Sequence, residues 1–225
     1  MKRLALWWLL AWPWLVEAAG PLTPEDNSKG PDFSLRLARA KAPFDYGVQA
    51  VDTHNRWLGV SLREKASERI TLGMYGGYAY VTQTNNPVTA GIELDGYHAG
   101  FSLHAVVAAG ERATLFYALH YTYQKVDHKS DAQTVVIDWS EAQAQLGAIV
   151  TLNRKWRLYG GGSYGYIDGE ERTSGAIDRT VNFDRRARAG GFLGLDLNVD
   201  PEGYVGVEAK TGLTRGAEIY FKRRY

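Results

Sequence analysis

From residue 44 onward, apolar and polar residues alternate along the chain, and short polar or glycine-containing turns interrupt the alternation. Between Glu141 and Leu152, for example, the even positions from Ala142 onward are all apolar, whereas Gln143 and Gln145 hold odd positions. A period of two predicts β-strands with one apolar and one polar face. We predict about ten strands of ~8–18 residues, or eight if residues 44–64 do not form two strands.

The turns of this pattern fall into two groups. Short turns at 65–68, 110–112, 153–155 and 200–203 alternate with loops at 84–90, 128–133 and 169–179 and with tight turns at His54 and Gly212. An even number of strands brings both ends of the sheet to one side. The short turns are predicted to lie at that side and the longer loops at the other.

The first 43 residues do not follow the alternating pattern. Lys2 and Arg3 precede an apolar run at 4–16, and small residues before Ala19 offer a cleavage site, which predicts a signal peptide at 1–18. The run is shorter than the ~20 residues of a spanning helix. Residues 19–43 are rich in proline, glycine and charge. They are predicted to form an N-terminal periplasmic segment or a lumen plug, with a short extra strand near Phe33 as a further option, so that the sheet covers residues 44–225.

The last predicted strand, residues 214–225, carries a recognisable pattern. Gly216 precedes outward apolar positions at Ile219 and Phe221, and the chain ends on the aromatic Tyr225. This pattern resembles the membrane-insertion signal of small bacterial outer-membrane β-barrel proteins, the porin-like and OmpA-type class. Basic residues at 222–224 depart from it, which leaves either Phe221 or Tyr225 as the functional end.

The resemblance implies an all-β fold, a closed antiparallel up-and-down transmembrane β-barrel in the outer membrane of a Gram-negative cell envelope. Its implied partners are outer-membrane lipids, lipopolysaccharide and, during insertion, the barrel-assembly machinery. The resemblance also implies a monomer.

Tyrosines at the ends of the apolar faces, such as Tyr78, Tyr97 and Tyr164, are typical of the aromatic girdles of membrane barrels. The other face carries charges and amides that a dry core could hold only at a large desolvation cost. We therefore expect the polar face to line the lumen and largely fill it, whereas a secreted lipocalin-like barrel would reverse the faces. The predicted lumen network is Arg63, His104, Gln143, Gln145, Arg188, Asp196, Glu208, Lys210 and Glu218.

Composition excludes several classes of function. The formal net charge is +1 and cysteine is absent, so neither a nucleic-acid partner nor a disulfide or thiolate site is expected. The five histidines lack metal-ligand spacing, and no metal or cofactor is predicted.

Weak candidates for catalysis remain on the polar face. Pairing across the turn at 110–112 sets Ser102 beside His120, with Glu141 on the next strand, which is a set of residue types used in nucleophilic catalysis. The pairs Asp52/His54 and Glu93/Asp95 resemble those of omptin proteases in residue type only. The favoured function is a structural or surface-interaction barrel. The alternatives are a narrow pore for ions or small solutes and an outer-membrane lipid or peptide hydrolase.

Overall fold

The computed structural model describes residues 30–225, apart from the side chain of Ala187. Ten antiparallel strands account for nearly all of this part of the chain, and no helix in it is long and apolar enough to cross a membrane. The strands are β1 (Asp32–Asp45), β2 (Ala50–Lys65), β3 (Ile70–Thr84), β4 (Glu93–Ala109), β5 (Ala113–Lys129), β6 (Gln133–Thr151), β7 (Trp156–Gly175), β8 (Arg179–Asn198), β9 (Gly203–Thr211) and β10 (Arg215–Arg224).

Each strand pairs with its neighbours in sequence, and β1 pairs with β10 to close the barrel. The closing register runs from Asp32 opposite Arg224 to Lys41 opposite Arg215. The predicted up-and-down barrel of ten strands is thus confirmed. Residues 30 and 225 lie at the same end, which we call the periplasmic end because single-chain barrels of even strand number have that arrangement.

The first two strands differ from the prediction. The barrel begins at Asp32 rather than at residue 44, because residues 32–43 form most of β1 instead of a segment outside the sheet or a plug. Of the options for this stretch, the structure has the strand near Phe33. The turn predicted at His54 does not exist, since β2 runs through it without a break. Residues 1–18 and 19–29, including the predicted signal peptide, lie outside the described part of the chain.

The apolar face of the periplasmic half points outward, as predicted. Phe101 and Leu146 are 61% and 63% exposed on the outer surface, whereas Glu141 is 8% exposed inside. A closed barrel with an apolar outer belt and a polar interior is the architecture of a bacterial outer-membrane protein, because lipid requires every backbone group to be paired and the outer face to be apolar. The protein is therefore a transmembrane β-barrel of the outer membrane.

The two faces exchange character toward the extracellular end. In β6 the inward residues Gln143 and Glu141 give way to Trp139 and Ile137, while the outward residue changes from Leu146 to Asp138. The extracellular half of the barrel therefore has a polar outside and an apolar inside, as a water-soluble barrel does. Buried residues from the first eight strands and two of the turns form this extracellular core: Ala42, Phe44, Tyr46, Val51, Ala79, Val81, Leu94, Val126, Val135, Ile137, Trp139, Ile167, Phe183 and Leu213.

The wall is taller than a bilayer requires. β7 has 20 residues, so it spans roughly 65 Å along its own axis and rises about 50 Å at a tilt near 40°. The apolar band of such barrels is only ~25 Å tall. Most of the loops predicted at 128–133 and 169–179 are strand, because β5 ends at Lys129 and β7 at Gly175.

Inside the barrel, aromatic rings lie over glycines on the adjacent strand. A β-carbon on each of these glycines would overlap or press on the ring of its cross-strand partner. The pairs are Tyr75 with Gly100, Phe116 with Gly147, Tyr159 with Gly194 and Tyr220 with Gly206. Such pairs let large rings lie flat against the wall and fix the strand register.

Candidate functional site

The periplasmic end of the lumen is closed by buried ion pairs. Arg63 donates two hydrogen bonds of 2.9 Å to the carboxylate of Asp32, and Arg157 lies 2.8 Å from the carboxylate of Asp196. The ring of Tyr204 lies beneath the guanidinium of Arg157 at 4.4 Å. The bidentate Arg63–Asp32 pair holds its geometry rigidly, so this end of the barrel is a fixed plug.

A second polar layer fills the middle of the lumen. Arg36 donates to Glu218 at 3.0 Å, and the amide of Gln145 donates to that of Gln143 at 3.0 Å. The rings of His104 and His120 meet edge to face with centroids 5.3 Å apart. These side chains contact one another and fill the middle of the lumen, as is expected in a barrel of only ten strands.

The extracellular mouth is closed by the loop at 85–92. The buried carboxylate of Glu171 accepts hydrogen bonds from the Tyr46 hydroxyl at 3.0 Å and from the Asn86 amide at 2.7 Å. The side-chain amide oxygen of Gln83 accepts hydrogen bonds from the Asn86 amide and the Thr89 hydroxyl. Val88 and Ile92 of the loop pack on the extracellular core. The loop is thus pinned across the mouth over a layer of apolar side chains.

Tyr46 lies in the turn between β1 and β2, outside the membrane-spanning strands. Burial, followed by the negative charge of Glu171, raises the pKa of its hydroxyl well above the usual value. The hydroxyl therefore stays protonated at neutral pH and remains the donor that Glu171 requires.

The wall contains a seam above the short hairpin of β9 and β10. β10 pairs with β1 only up to Lys41, and beyond it β1 meets β8 at a single pair, Asp45 opposite Asp184. Arg185 bridges this seam, donating to the main-chain oxygen of Pro43 at 2.9 Å and to that of Gly212 at 2.8 Å. A proline suits this edge because it has no N–H to leave unpaired.

Eight of the nine predicted lumen residues are buried inside the barrel. They are Arg63, His104, Gln143, Gln145, Asp196, Glu208, Lys210 and Glu218. Arg188 differs, because it is exposed. The pairing of β8 with β7 shifts between Gly165 and Ile167, so that β8 uses one extra residue there. Arg188 is the last residue of β8 paired in register before this bulge, opposite Gly165. It therefore lies at the edge of the irregularity, where the strict alternation that predicted a buried position does not hold.

The predicted catalytic set is brought together only in part. Ser102 and His120 are direct cross-strand partners, but Gln143 is opposite His120 and Glu141 is opposite Thr122. Glu141 lines a cavity of about 10 Å³ together with His120, and a cavity of this size holds about one water molecule. This arrangement has no room for a substrate.

The acidic and histidine pairs lie elsewhere. Asp52, His54, Glu93 and Asp95 all point outward on β2 and β4, with β3 between them. Asp52 forms an ion pair with Lys41 at 2.7 Å. The Asp52/His54 and Glu93/Asp95 pairs therefore lie on the outer wall and do not face each other across a cleft.

The residues of the predicted insertion signal lie on and beside β10. Phe221 and Tyr225 are exposed, Ile219 and Gly216 are half-buried, and the N–H of Tyr225 donates to the main-chain oxygen of Pro31. The last strand therefore presents apolar residues to lipid. Their role in insertion stays a prediction.

The sequence did not single out Glu171, which holds the loop at the mouth, or Arg185, which bridges the seam. Each is charged and lies in a stretch that reads as a polar loop or its edge. Glu171 does fall at an inward position of an alternating row in β7, with Thr173 and Ile167. That row was the only available signal.

No protein-family model and no curated protein sequence matches this chain. Among solved structures it is similar to the outer membrane protease OmpT from Escherichia coli, with 10% identity, a TM-score of 0.48 and coverage of 88% of this chain and 97% of that one. It is similar to OprG from Pseudomonas aeruginosa, with 13% identity, a TM-score of 0.43 and coverage of 86% and 97%. It is also similar to Ail from Yersinia pestis, with 10% identity, a TM-score of 0.38 and coverage of 87% of this chain and 98% of that one. These are bacterial outer-membrane β-barrel proteins, and the likeness extends to the fold alone.

Proposed function

We propose that the protein is a closed, non-conducting outer-membrane barrel with a structural or surface-interaction role, exercised by its outer surfaces. The observation that carries this proposal is the extracellular core, which fills the mouth of the lumen beneath the loop at 85–92. Apolar side chains packed at interior density exclude water and ions.

The size of the interior spaces supports this proposal over a narrow pore. Three cavities among the side chains of the lumen measure about 20, 10 and 10 Å³. Each holds roughly one water molecule. A solute would have to displace both the apolar layer at the mouth and the Arg63–Asp32 pair at the periplasmic end.

A hydrolase has less support, because Ser102, His120 and Glu141 lie within this filled interior. The expected result is that Ser102→Ala and His120→Ala leave the mass of lipid A in intact cells unchanged. A change in mass that both substitutions abolish would restore the enzymatic alternative.

The extracellular wall supports a surface role. Outside β5 to β8 it carries an open groove of about 300 Å³ with acidic and aromatic lining, formed by Tyr123, Asp138, Trp139, Ser140, Asp168, Gly169, Glu170 and Asn182. Because this wall rises above the lipid belt, its charges face the extracellular water.

Single-channel recording on refolded protein tests the proposal. The wild-type protein is expected to give no conductance steps, and so is Phe101→Ala, a control that removes an exposed aromatic residue from the lipid face. Wild-type steps whose amplitude rises in Phe183→Ala, which thins the extracellular core, would assign conduction to this lumen and overturn the proposal.

A further inference from the structure

Basic side chains gather on one side of the outer wall. Arg39 and Lys41 point outward from β1, Arg56 from β2 and Arg215 from β10. We call these four residues the basic face. Arg186 and Arg188 of β8 are also exposed and lie across the seam from β1.

The register of the basic face sets like charges directly opposite one another. Lys41 is the cross-strand partner of Arg215, and Arg39 is the partner of Arg56. Directly opposed side chains have their β-carbons about 5 Å apart, and like charges in this position are destabilising. Asp52 neutralises Lys41 at 2.7 Å, and the Arg56 guanidinium lies 5.6 Å from the centre of the Tyr80 ring. The set still carries an excess of positive charge.

The height of the basic face is fixed by the lipid belt. On β1 the next outward residue on the periplasmic side of Arg39 is Leu37. On β2 the next outward residue on the periplasmic side of Arg56 is Leu58. Both leucines are exposed and belong to the apolar belt. The guanidinium groups therefore lie where acyl chains end and headgroups begin. On the other side of the barrel, tyrosines such as Tyr97 and Tyr164 occupy the end of the belt, with Asp95 and Asp168 beyond them.

We infer that the basic face binds the phosphate groups of lipopolysaccharide in the outer leaflet, with the acyl chains of lipid A lying on Leu37 and Leu58. Guanidinium forks match phosphate oxygens bidentately. A phosphate placed between the opposed cations of β1, β2 and β10 attracts all of them and so offsets their mutual repulsion. A headgroup anchored by its own acyl chains is the ligand that reaches this height, and the inference does not depend on whether the lumen conducts.

Native mass spectrometry of refolded protein in detergent tests the site, with bisphosphorylated lipid A as the probe. The wild-type protein is expected to bind it and to discriminate against the same lipid without phosphates. Arg39→Gln/Arg56→Gln/Arg215→Gln is expected to weaken binding about a hundredfold, at roughly fivefold for each cation near an anionic headgroup. The control Lys125→Gln/Lys129→Gln/Arg112→Gln removes the same charge elsewhere and should stay within about twofold, since those side chains lie outside the basic face.

Three outcomes overturn the inference. Equal weakening in both triple variants indicates a general charge effect, and equal binding of the phosphate-free lipid indicates docking on the acyl chains alone. Competition by inorganic phosphate at low concentration indicates a site for soluble anions. Heat-modifiable gel migration verifies that each variant is folded. Should the triple variant not fold, the salt dependence of wild-type binding decides, because phosphate contacts require affinity to fall as ionic strength rises.

Discussion

The phenol ring of Tyr220 lies over Gly206, its cross-strand partner on β9, in the space that a side chain of residue 206 would fill. From this position its hydroxyl contacts the hydroxyl of Tyr159 at 3.1 Å and hydrogen-bonds to the carboxylate of Asp196. The glycine therefore sets the position of a ring that joins the polar layers of the lumen.

Gly206→Ala is expected to lower the free energy of unfolding by about 1–3 kcal/mol, because an added methyl group in a packed interior forces its neighbours out of place. Urea unfolding in lipid vesicles measures the change. Gly110→Ala is the control, since a β-carbon at this turn glycine would meet only the main-chain oxygen of Ala113 at 3.7 Å. Equal effects of the two substitutions would contradict the steric account.

Arg185→Gln is expected to destabilise the barrel by about 2–3 kcal/mol, because the hydrogen bonds from a charged donor to the main-chain oxygens of Pro43 and Gly212 are lost at the seam. Urea unfolding again provides the measurement. Arg186→Gln changes the same residue type at the next, exposed position and should cost less than ~0.5 kcal/mol. If Arg185→Lys retained full stability, the bridging role of the guanidinium fork between Pro43 and Gly212 would be wrong.

Glu171→Ala is expected to release the loop at 85–92, because the donors of Tyr46 and Asn86 lose their buried acceptor at about 1–3 kcal/mol each. Hydrogen exchange reports this directly through the amides of Ala90 and Ile92, which are bonded within the loop. Their protection should fall at least about tenfold. Glu170→Ala removes an outward carboxylate from the same strand, and loss of protection in this control as well would show that the effect is not specific.

Asp200 makes the turn between β8 and β9 sensitive to acid. Its carboxylate accepts hydrogen bonds from the N–H groups of Glu202 at 2.8 Å and Gly203 at 2.7 Å. The bond from Glu202, then that from Gly203 and the charge of Arg223, lowers the pKa of Asp200 below its usual value. A lowered folded-state pKa gives stability that is present above the unfolded value of about 3.9 and is lost as pH falls through the folded value.

Asp200→Ala should therefore lower the urea midpoint at pH 7, with a difference from wild type that shrinks below about pH 4. The midpoint measured against pH checks this expectation. Asp200→Asn keeps an acceptor oxygen without a charge and should show a smaller loss at pH 7, which also shrinks below about pH 4 as the wild-type carboxylate is protonated. A constant difference between wild type and Asp200→Ala across the acid range would disprove the role of ionisation.

Alternation along the chain was sufficient to predict the periplasmic half of the barrel from β2 onward, but not the first strand. Where strands cross lipid, the outward positions are apolar and the inward ones polar, so that Leu146 and Glu141 could be assigned to opposite faces from sequence. The periplasmic turns follow for the same reason, since polar residues there interrupt an otherwise apolar row.

The extracellular half was harder to predict because the chain does not mark the height at which lipid ends. His54 and Arg56 are outward residues just above the apolar belt. Because they are polar, they were interpreted as a turn, although β2 continues through them. Arg39, Lys41 and Pro43 concealed β1 in the same way. The ion-pair partners within the lumen could not be predicted either. They depend on the register between strands that are distant in sequence, as with Arg36 and Glu218.

The exchange of faces near Trp139 has a consequence for how the protein reaches its final state. Asp138, Asp168 and Glu170 on the outside of the extracellular wall are costly to place in hydrocarbon, so this wall cannot cross the bilayer already folded. These segments must be translocated through a shielded path before they pair, and Phe44, Trp139 and Phe183 can pack together only after arriving in water. Biogenesis therefore ends on the cell surface, with a collapse like that of a soluble protein.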